Sequence, residues 1–416
     1  MARGPADNNL THGMARPAIL LITYISPLQK WGSAHRSRLL IDALARHGTV
    51  EVLALSFGAS AADHGKVSED RLGNTRVIDL QVHSRGLTRA PRFDLVSHEL
   101  TREVRKLVDL DRYDLIVSRY VRPAMKLALP AHVPVIVDFD DALYEPPWAA
   151  LTGPKQWAGA LLRLFNDRVI ARGRLHTAPH RHRHYFFCRH VERKAFPSLQ
   201  GSVLPNLPPR PSRPDLPDYR QPATPALMFI GLLDYMPNED AVDWFLGHVW
   251  GRVRAAVPAA RFLLAGTASD DRRARWSQVE GVDVLGFVDD LAATYARASA
   301  SVVPMRSGAG TNVKALEPLL YGKPVVATPL VLSGYQGVVE LGDVVPTADD
   351  PETFAAHCIA LLKDPAHAED LARRGHARID AQLDFPMFAS IVDQAVEQAL
   401  APRNAGRSTP VADRAA

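Results

Sequence analysis

The chain has 416 residues, enough for two to three domains. With 47% hydrophobic and 23% charged residues its balance is globular, which excludes a disordered, collagenous or fibrous protein. Lys and Arg number 49 against 45 Asp and Glu, and a surplus of +4 does not mark a nucleic-acid binder even with a pI of 9.1.

Two cysteines, Cys188 and Cys358, cannot build a disulfide framework, so a reducing cytoplasm is expected. The first 16 residues read as a flexible N-terminus, and AILLITYI after them is too short for a signal peptide. No run of about 18 apolar residues occurs, so no membrane-spanning helix is expected. AILLITY (18–24) reads as a strand and Ser33 to Arg46 as a helix. VEVLALSF (50–57), TRVIDLQV (75–82), YDLIVSRY, VPVIVDFDD and GRLHTAP continue the strands, with helices over Phe93–Leu110 and near Trp157–Ala171. Nearly continuous apolar strands followed by helices signal a parallel sheet covered on both faces.

This first domain is expected over 17–204, and a proline-rich linker over 205–225, where no helix can persist. The alternation then restarts with ALMFIG and a helix from Pro237 to Arg254, whose Val242, Phe245, Leu246, Val249 and Val253 form one stripe. RFLLAG, VDVLGF, ASVVP, a helix through Leu316 and PVVAT follow, then helices at 351–363, 366–381 and 386–399. The division is a second domain at 226–384, a C-terminal helix at 385–400 and a flexible tail at 401–416. The expected fold class is α/β, with two doubly wound domains facing a cleft.

Ligands of open α/β sheets bind beyond the carboxyl ends of the strands, and four segments fall there. The loop from Gln29 to Arg36 is either a plain turn with Ser33 as N-cap or a backbone-donor loop facing the cleft. Asp138, Asp140 and Asp141 form an Asp-x-Asp pattern. They could hold a divalent cation, or cap a helix and accept hydrogen bonds from substrate hydroxyls. The segment from Val303 to Glu317 runs from a strand through Gly308 and Gly310 into a helix, whose free N–H groups suit an anion. Lys314 would offer a cation for a diphosphate and Glu317 a carboxylate for sugar hydroxyls, unless the two form only a surface pair. In the fourth segment Pro237 opens a helix after Gly231, with Glu239 and Asp240 at its positive end. Neither a dinucleotide fingerprint nor a phosphate-loop motif occurs.

Between His176 and His190 lies a His- and Arg-rich stretch. It reads as a solvated basic face, as chelation by His180, His182 and His184, or as a patch for anionic lipid with Tyr185, Phe186 and Phe187 beside it.

Together these segments resemble the GT-B glycosyltransferases of family 4 (glycosyl transferases group 1). The similarity is strongest from Met228 to Pro329, through FIGLLDYMPNEDAVDWF, RFLLAG, GVDVLGFVDDLAATYA and SASVVPMRSGAGTNVKALEPLLYGKPVVAT. WGSAHRSRLL, VIVDFDD and LPN at Leu204–Asn206 carry it more loosely in the first domain.

The resemblance implies two Rossmann-like domains and transfer of a sugar from a nucleotide-sugar donor with retention, without metal or cofactor. The acceptor would be a glycan or lipid-linked molecule in surface polysaccharide or glycolipid synthesis, with peripheral contact at the inner face of the membrane and no nucleic acid. Arg306 and Lys314 would be catalytic, meeting the leaving diphosphate. Gly231, Asn238, Gly308, Gly310, Thr311 and Glu317 would bind the donor. Gly32, Ser33, Arg36, Arg119, Asp140 and Asp141 would line the acceptor side of the cleft.

Leu232 and Asn238 stand where many members carry Arg and Lys, Ala309 replaces the first Glu of a Glu-x7-Glu pair, Asn312 stands where Arg is common, and Pro318 should kink its helix. A nucleotide-sugar 2-epimerase and a non-catalytic sugar-nucleotide-binding protein are the alternatives.

Overall fold

A computed structural model describes residues 16–29, 32–57, 61–82, 96–140, 153–165, 182–211, 219, 221–308 and 311–401. Asp141, Gly310, GRLHTAP and His180 therefore lie outside the described residues, as do both expected tails but for Arg16 and Ala401.

The first domain contains β1 (Ala18–Thr23), α1 (Gly32–Leu44), β2 (Thr49–Phe57), β3 (Val67–Leu72), β4 (Thr75–Val82), α2 (His98–Leu107) and β5 (Leu115–Arg119). It continues with α3 (Val121–Lys126), β6 (Val135–Phe139), α4 (Pro154–Phe165), β7 (His182–Phe187), α5 (His190–Ala195) and β8 (Gly201–Val203). These strands form one eight-stranded sheet in the order β3-β4-β2-β1-β5-β6-β7-β8. All pairings are parallel except β3 with β4.

The second domain begins with β9 (Ala226–Ile230), α6 (Met236–Trp244), a π-helical turn (Phe245–Trp250) and α7 (Gly251–Ala256). Then follow β10 (Arg261–Ala265), α8 (Asp270–Ser277), β11 (Val282–Gly286), α9 (Leu291–Ala296), β12 (Ala300–Val303), α10 (Glu317–Leu320), β13 (Val325–Ala327) and α11 (Pro329–Ser333). Its parallel sheet runs β11-β10-β9-β12-β13. Strand order reverses between β1 and β5 in one sheet and between β9 and β12 in the other. Crevices at such reversals are where α/β sheets hold ligands.

Three helices close the chain, α12 (Pro351–Lys363), α13 (Pro365–Gln382) and α14 (Phe385–Leu400). Asp350, Asp364 and Asp384 cap them, each accepting the backbone N–H three residues on. The last helix returns to the first domain and packs on α1. Phe388, Val392 and Val396 join Leu40, Ile41 and Leu44 in one apolar cluster that runs on into the second core. His47 Nε2 lies 2.6 Å from Asp393 Oδ1 beside this contact. The opposite face of the first sheet has its own core, with Leu20, Ile22, Leu53 and Val137.

Two expectations are corrected. HRHYFF is a buried strand: Tyr185, Phe186 and Phe187 sit in the two cores, so no aromatic lipid-facing patch forms there. His184 in the same strand meets Ser202 Oγ at 2.8 Å, and the chelation reading otherwise falls on His180 and the His182 side chain, outside what is described. Second, no helix runs through Leu316. Val313–Ala315 is a single 3₁₀ turn and α10 has only four residues. Pro318 lacks the N–H that a longer helix there would need. After β12 the described residues therefore offer no long helix terminus for an anion.

Among the described residues no helix is long and apolar enough to cross a membrane.

Candidate functional site

In the second domain the loops after β9 and β12 flank the strand-order reversal. Gly231 follows β9, and a Cβ on it would lie 2.8 Å from Lys314 Cε and 3.0 Å from Asn238 Nδ2. A side chain at this position would push against both Lys314 and Asn238. Behind it Gly266, at φ +131°, places its Cα so close that a Cβ would overlap the Gly231 carbonyl. Asn238 is buried, and its Nδ2 donates to the Leu232 carbonyl at 2.7 Å while Oδ1 has no partner among the described residues.

Lys314 lies over this glycine, beside a small cavity lined by Ile230, Tyr295, Val303 and Pro318. No described carboxylate lies within ion-pair distance of its ammonium, so the surface-pair reading of Lys314 and Glu317 fails. Burial pushes the Lys314 ammonium down to about 8, although Glu317 opposes the shift. Glu317 is half-buried and accepts from the Tyr295 hydroxyl at 2.7 Å. Burial raises its carboxyl, against the hydrogen bond from Tyr295 and the field of Lys314. Tyr295, wholly interior, stacks on Tyr321 with ring centroids 4.8 Å apart. Gly231, Asn238, Lys314 and Glu317 thus form one group.

Arg306 stands apart from that group. Its Nη2 and Nε grip the Asp240 carboxylate at 2.6 and 3.2 Å on the partly exposed rim. Glu239, one residue earlier, holds Arg272 and Arg275. Gly308, at φ +137° and with open space around it, makes the bend that a side chain would strain.

The first-domain candidates form a second group, and it is closed. Arg36 on α1 holds Asp138 with two hydrogen bonds, Nε to Oδ2 at 2.8 Å and Nη2 to Oδ1 at 2.6 Å. Arg119 at the end of β5 donates to Asp140 Oδ2 at 3.0 Å and to Ser37 Oγ at 2.8 Å. Cys188 donates to Asp140 Oδ1 at 3.2 Å. Burial works to raise the Asp140 carboxyl, but the guanidiniums of Arg119 and Arg36 outweigh it and hold it low. Arg36, Arg119 and Asp138 are almost wholly inaccessible.

Arg36, Arg119 and the described aspartates, expected on the acceptor side of the cleft, are paired with one another there. Two cations and two carboxylates consume one another, because burial at converging strand ends leaves no charge unpaired. Among the described residues Asp138 faces Arg36 and not a helix N-terminus. Gly32 already begins α1, which places Ser33 within the first turn.

Sequence reasoning missed how the two groups are joined. Arg36 Nη1 donates to Asn206 Oδ1 at 3.0 Å, and Asn206 Nδ2 donates to Thr311 Oγ1 at 2.8 Å, in the second domain's loop. The proline-rich stretch lodges against both domains, with Leu204 and Leu207 buried and Arg210 paired with Asp380. His190 adds another bridge, its Nε2 lying 3.1 Å from the Gly337 carbonyl. LPN carried the only signal, as a motif without an assigned task.

Comparison with known proteins agrees with this geometry. Residues 224–364 match the family model for glycosyl transferases group 1. The second domain is thus a glycosyltransferase domain. No curated protein matches the chain.

Among solved structures, sucrose-phosphate synthase from Thermosynechococcus elongatus superposes with a TM-score of 0.63 at 18% identity, covering 92% of this chain and 99% of that one. A UDP-forming α,α-trehalose-phosphate synthase from Burkholderia xenovorans gives 0.62 at 11% identity, over 94% and 100%. A trehalose-6-phosphate protein from E. coli, solved with bound UDP-2-fluoro glucose, gives 0.60 at 13%, over 92% and 99%. The two domains together have the GT-B fold, with a Rossmann-like domain on each side of the cleft.

Proposed function

We propose that the protein is a retaining, metal-independent glycosyltransferase of family 4, moving a sugar from a nucleotide-sugar donor to a glycan or lipid-linked acceptor. The observation that carries this reading is Lys314, a half-buried ammonium with no described carboxylate at ion-pair distance, three residues before the half-buried carboxylate of Glu317. The two offer one cation and one acceptor of hydrogen bonds at a strand-order reversal. That combination suits a nucleoside diphosphate, with Lys314 for phosphate oxygens and Glu317 for ribose hydroxyls.

When the bond from the anomeric carbon to the diphosphate breaks, its electron pair leaves with the diphosphate, and the acceptor oxygen takes its place on the carbon. The acceptor proton goes to the departing phosphate or to water. Lys314 meets the growing charge, and Arg306 joins it once released from Asp240. No metal is called for, since Asp138 and Asp140 already face guanidiniums in the other domain.

The reading is tested by measuring nucleotide release from a panel of nucleotide sugars, with and without lipid-linked and free glycan acceptors, before and after EDTA. Release that depends on acceptor and survives EDTA is expected. Release abolished by EDTA and restored by Mn²⁺ overturns metal independence, and no release from any donor overturns the transferase reading.

A further inference from the structure

Asn206 stands where the first domain, the linker and the loop after β12 meet. The chemistry of its neighbours fixes the direction of its amide. Arg36 can only donate, so the atom 3.0 Å from Nη1 is Oδ1. Nδ2 must then be the atom that faces Thr311, where it donates to Oγ1 at 2.8 Å. Arg36 is anchored on its other side by both oxygens of Asp138, and its Nη1 also reaches the Pro205 carbonyl at 3.2 Å.

A hydroxyl that accepts from Asn206 keeps its own hydrogen for another acceptor. Close to Thr311 is the wholly buried Tyr335, whose hydroxyl is left without a satisfying partner among the described residues. Ser307 Oγ, at the other end of the same loop, is also buried and unpartnered there. Of the two hydroxyls between Ser307 and Asn312, Thr311 is the one tied to the first domain among the described residues.

We propose that Asn206 is a positioning residue for Thr311 of the second domain, setting it from the first domain through the fixed polarity Arg36 to Asn206 to Thr311. The inference deepens the transferase reading and rests on it for the catalytic consequence. The expected consequence is that Asn206 acts on turnover, because a loop held in place contributes to the reacting geometry more than to binding of the bare nucleotide.

The test uses the full chain and two variants. Asn206→Asp keeps the acceptor and loses the donor, and Asn206→Ala adds no charge should the first fail to fold. Gln200→Ala is the control, since Gln200 makes a different contact between the C-terminal helix and the first domain, 3.1 Å to Gln398. Hydrogen exchange across 305–316 should rise about five-fold or more in the Asn206 variants and stay at the parent level in the control. Nucleotide release should lose about ten-fold in kcat, with the affinity for the bare nucleoside diphosphate within about three-fold of the parent.

Parent-like exchange and kcat in either folded Asn206 variant would overturn the proposal. So would exchange that rises equally throughout the first domain, which marks mere destabilisation. If the parent itself releases no nucleotide while the loop still loosens in the variants, the transferase reading fails and the positioning role stands.

Discussion

Tyr295 donates its hydroxyl to Glu317 Oε1 at 2.7 Å, which fixes the carboxylate and leaves its second oxygen as the one open to a ligand. Because the phenol is buried, this bond is made before any nucleotide arrives. Glu317→Ala should weaken nucleoside diphosphate binding by about 1–3 kcal/mol, the scale for a charge-assisted hydrogen bond. Calorimetric titration checks it, and unchanged affinity in a folded variant would remove Glu317 from the nucleotide site.

Lys314 makes binding depend on pH. Its folded value near 8 lies below the ordinary 10.5 of an unfolded lysine, so the unfolded chain holds the proton more tightly between those limits. Stability attributable to this group therefore rises as pH climbs from about 8 toward 10.5, in contrast to a lysine that gains a partner. A bound diphosphate favours the charged form, so binding above pH 8 should take up a proton and weaken with rising pH. Titrations in buffers of different ionisation enthalpy read the proton directly. Lys314→Met should abolish the uptake and lower kcat by about 10²–10³-fold.

Arg306 and Asp240 compete with the ligand for each other. Their pair lies on the rim, where such pairs contribute up to about 1 kcal/mol. Asp240→Ala should leave the melting temperature nearly unchanged and tighten diphosphate binding up to about five-fold at low salt. Arg306→Ala should lower kcat by about 10²–10³-fold with little effect on nucleoside affinity. Equal turnover in the parent and Arg306→Ala would assign the leaving-group charge elsewhere.

The Arg36–Asp138 pair makes a different demand. Asp138→Ala leaves the buried guanidinium of Arg36 without its bidentate partner, a loss of about 3–5 kcal/mol. Urea unfolding of the full chain measures it. A cost below 1 kcal/mol would show that Arg36 reaches water or another acceptor.

The parts of this architecture that depend on nearby residues could be read from the sequence. Apolar runs such as AILLITY and RFLLAG became strands because a two-sided sheet buries nearly all the residues in their middles. HRHYFF escaped notice because its histidines and arginine suggested solvent, whereas a period of two sends neighbouring side chains to opposite cores. The grouping of Gly231, Asn238, Lys314 and Glu317 was traceable through their places after two strands. The pairing of Arg36 with Asp138 and Asn206 was not, since 102 and 170 residues separate the partners. Nothing local to Arg36 or Asp140 indicates that their charges are consumed internally. The glycine loop promised a helix, and Pro318 alone showed why it would be short.

The return of α14 to the first domain has a consequence for how the chain is made. Leu40, Ile41 and Leu44 leave the ribosome some 340 residues before Phe388 and Val392, which cover them. During synthesis this flank of α1 stays open until the second domain has been completed and its trailing helix has swung back. A fragment ending within the proline-rich stretch would keep that flank uncovered for good. The domain encoded first is the one finished last, and the order of assembly is written into the position of a single terminal helix.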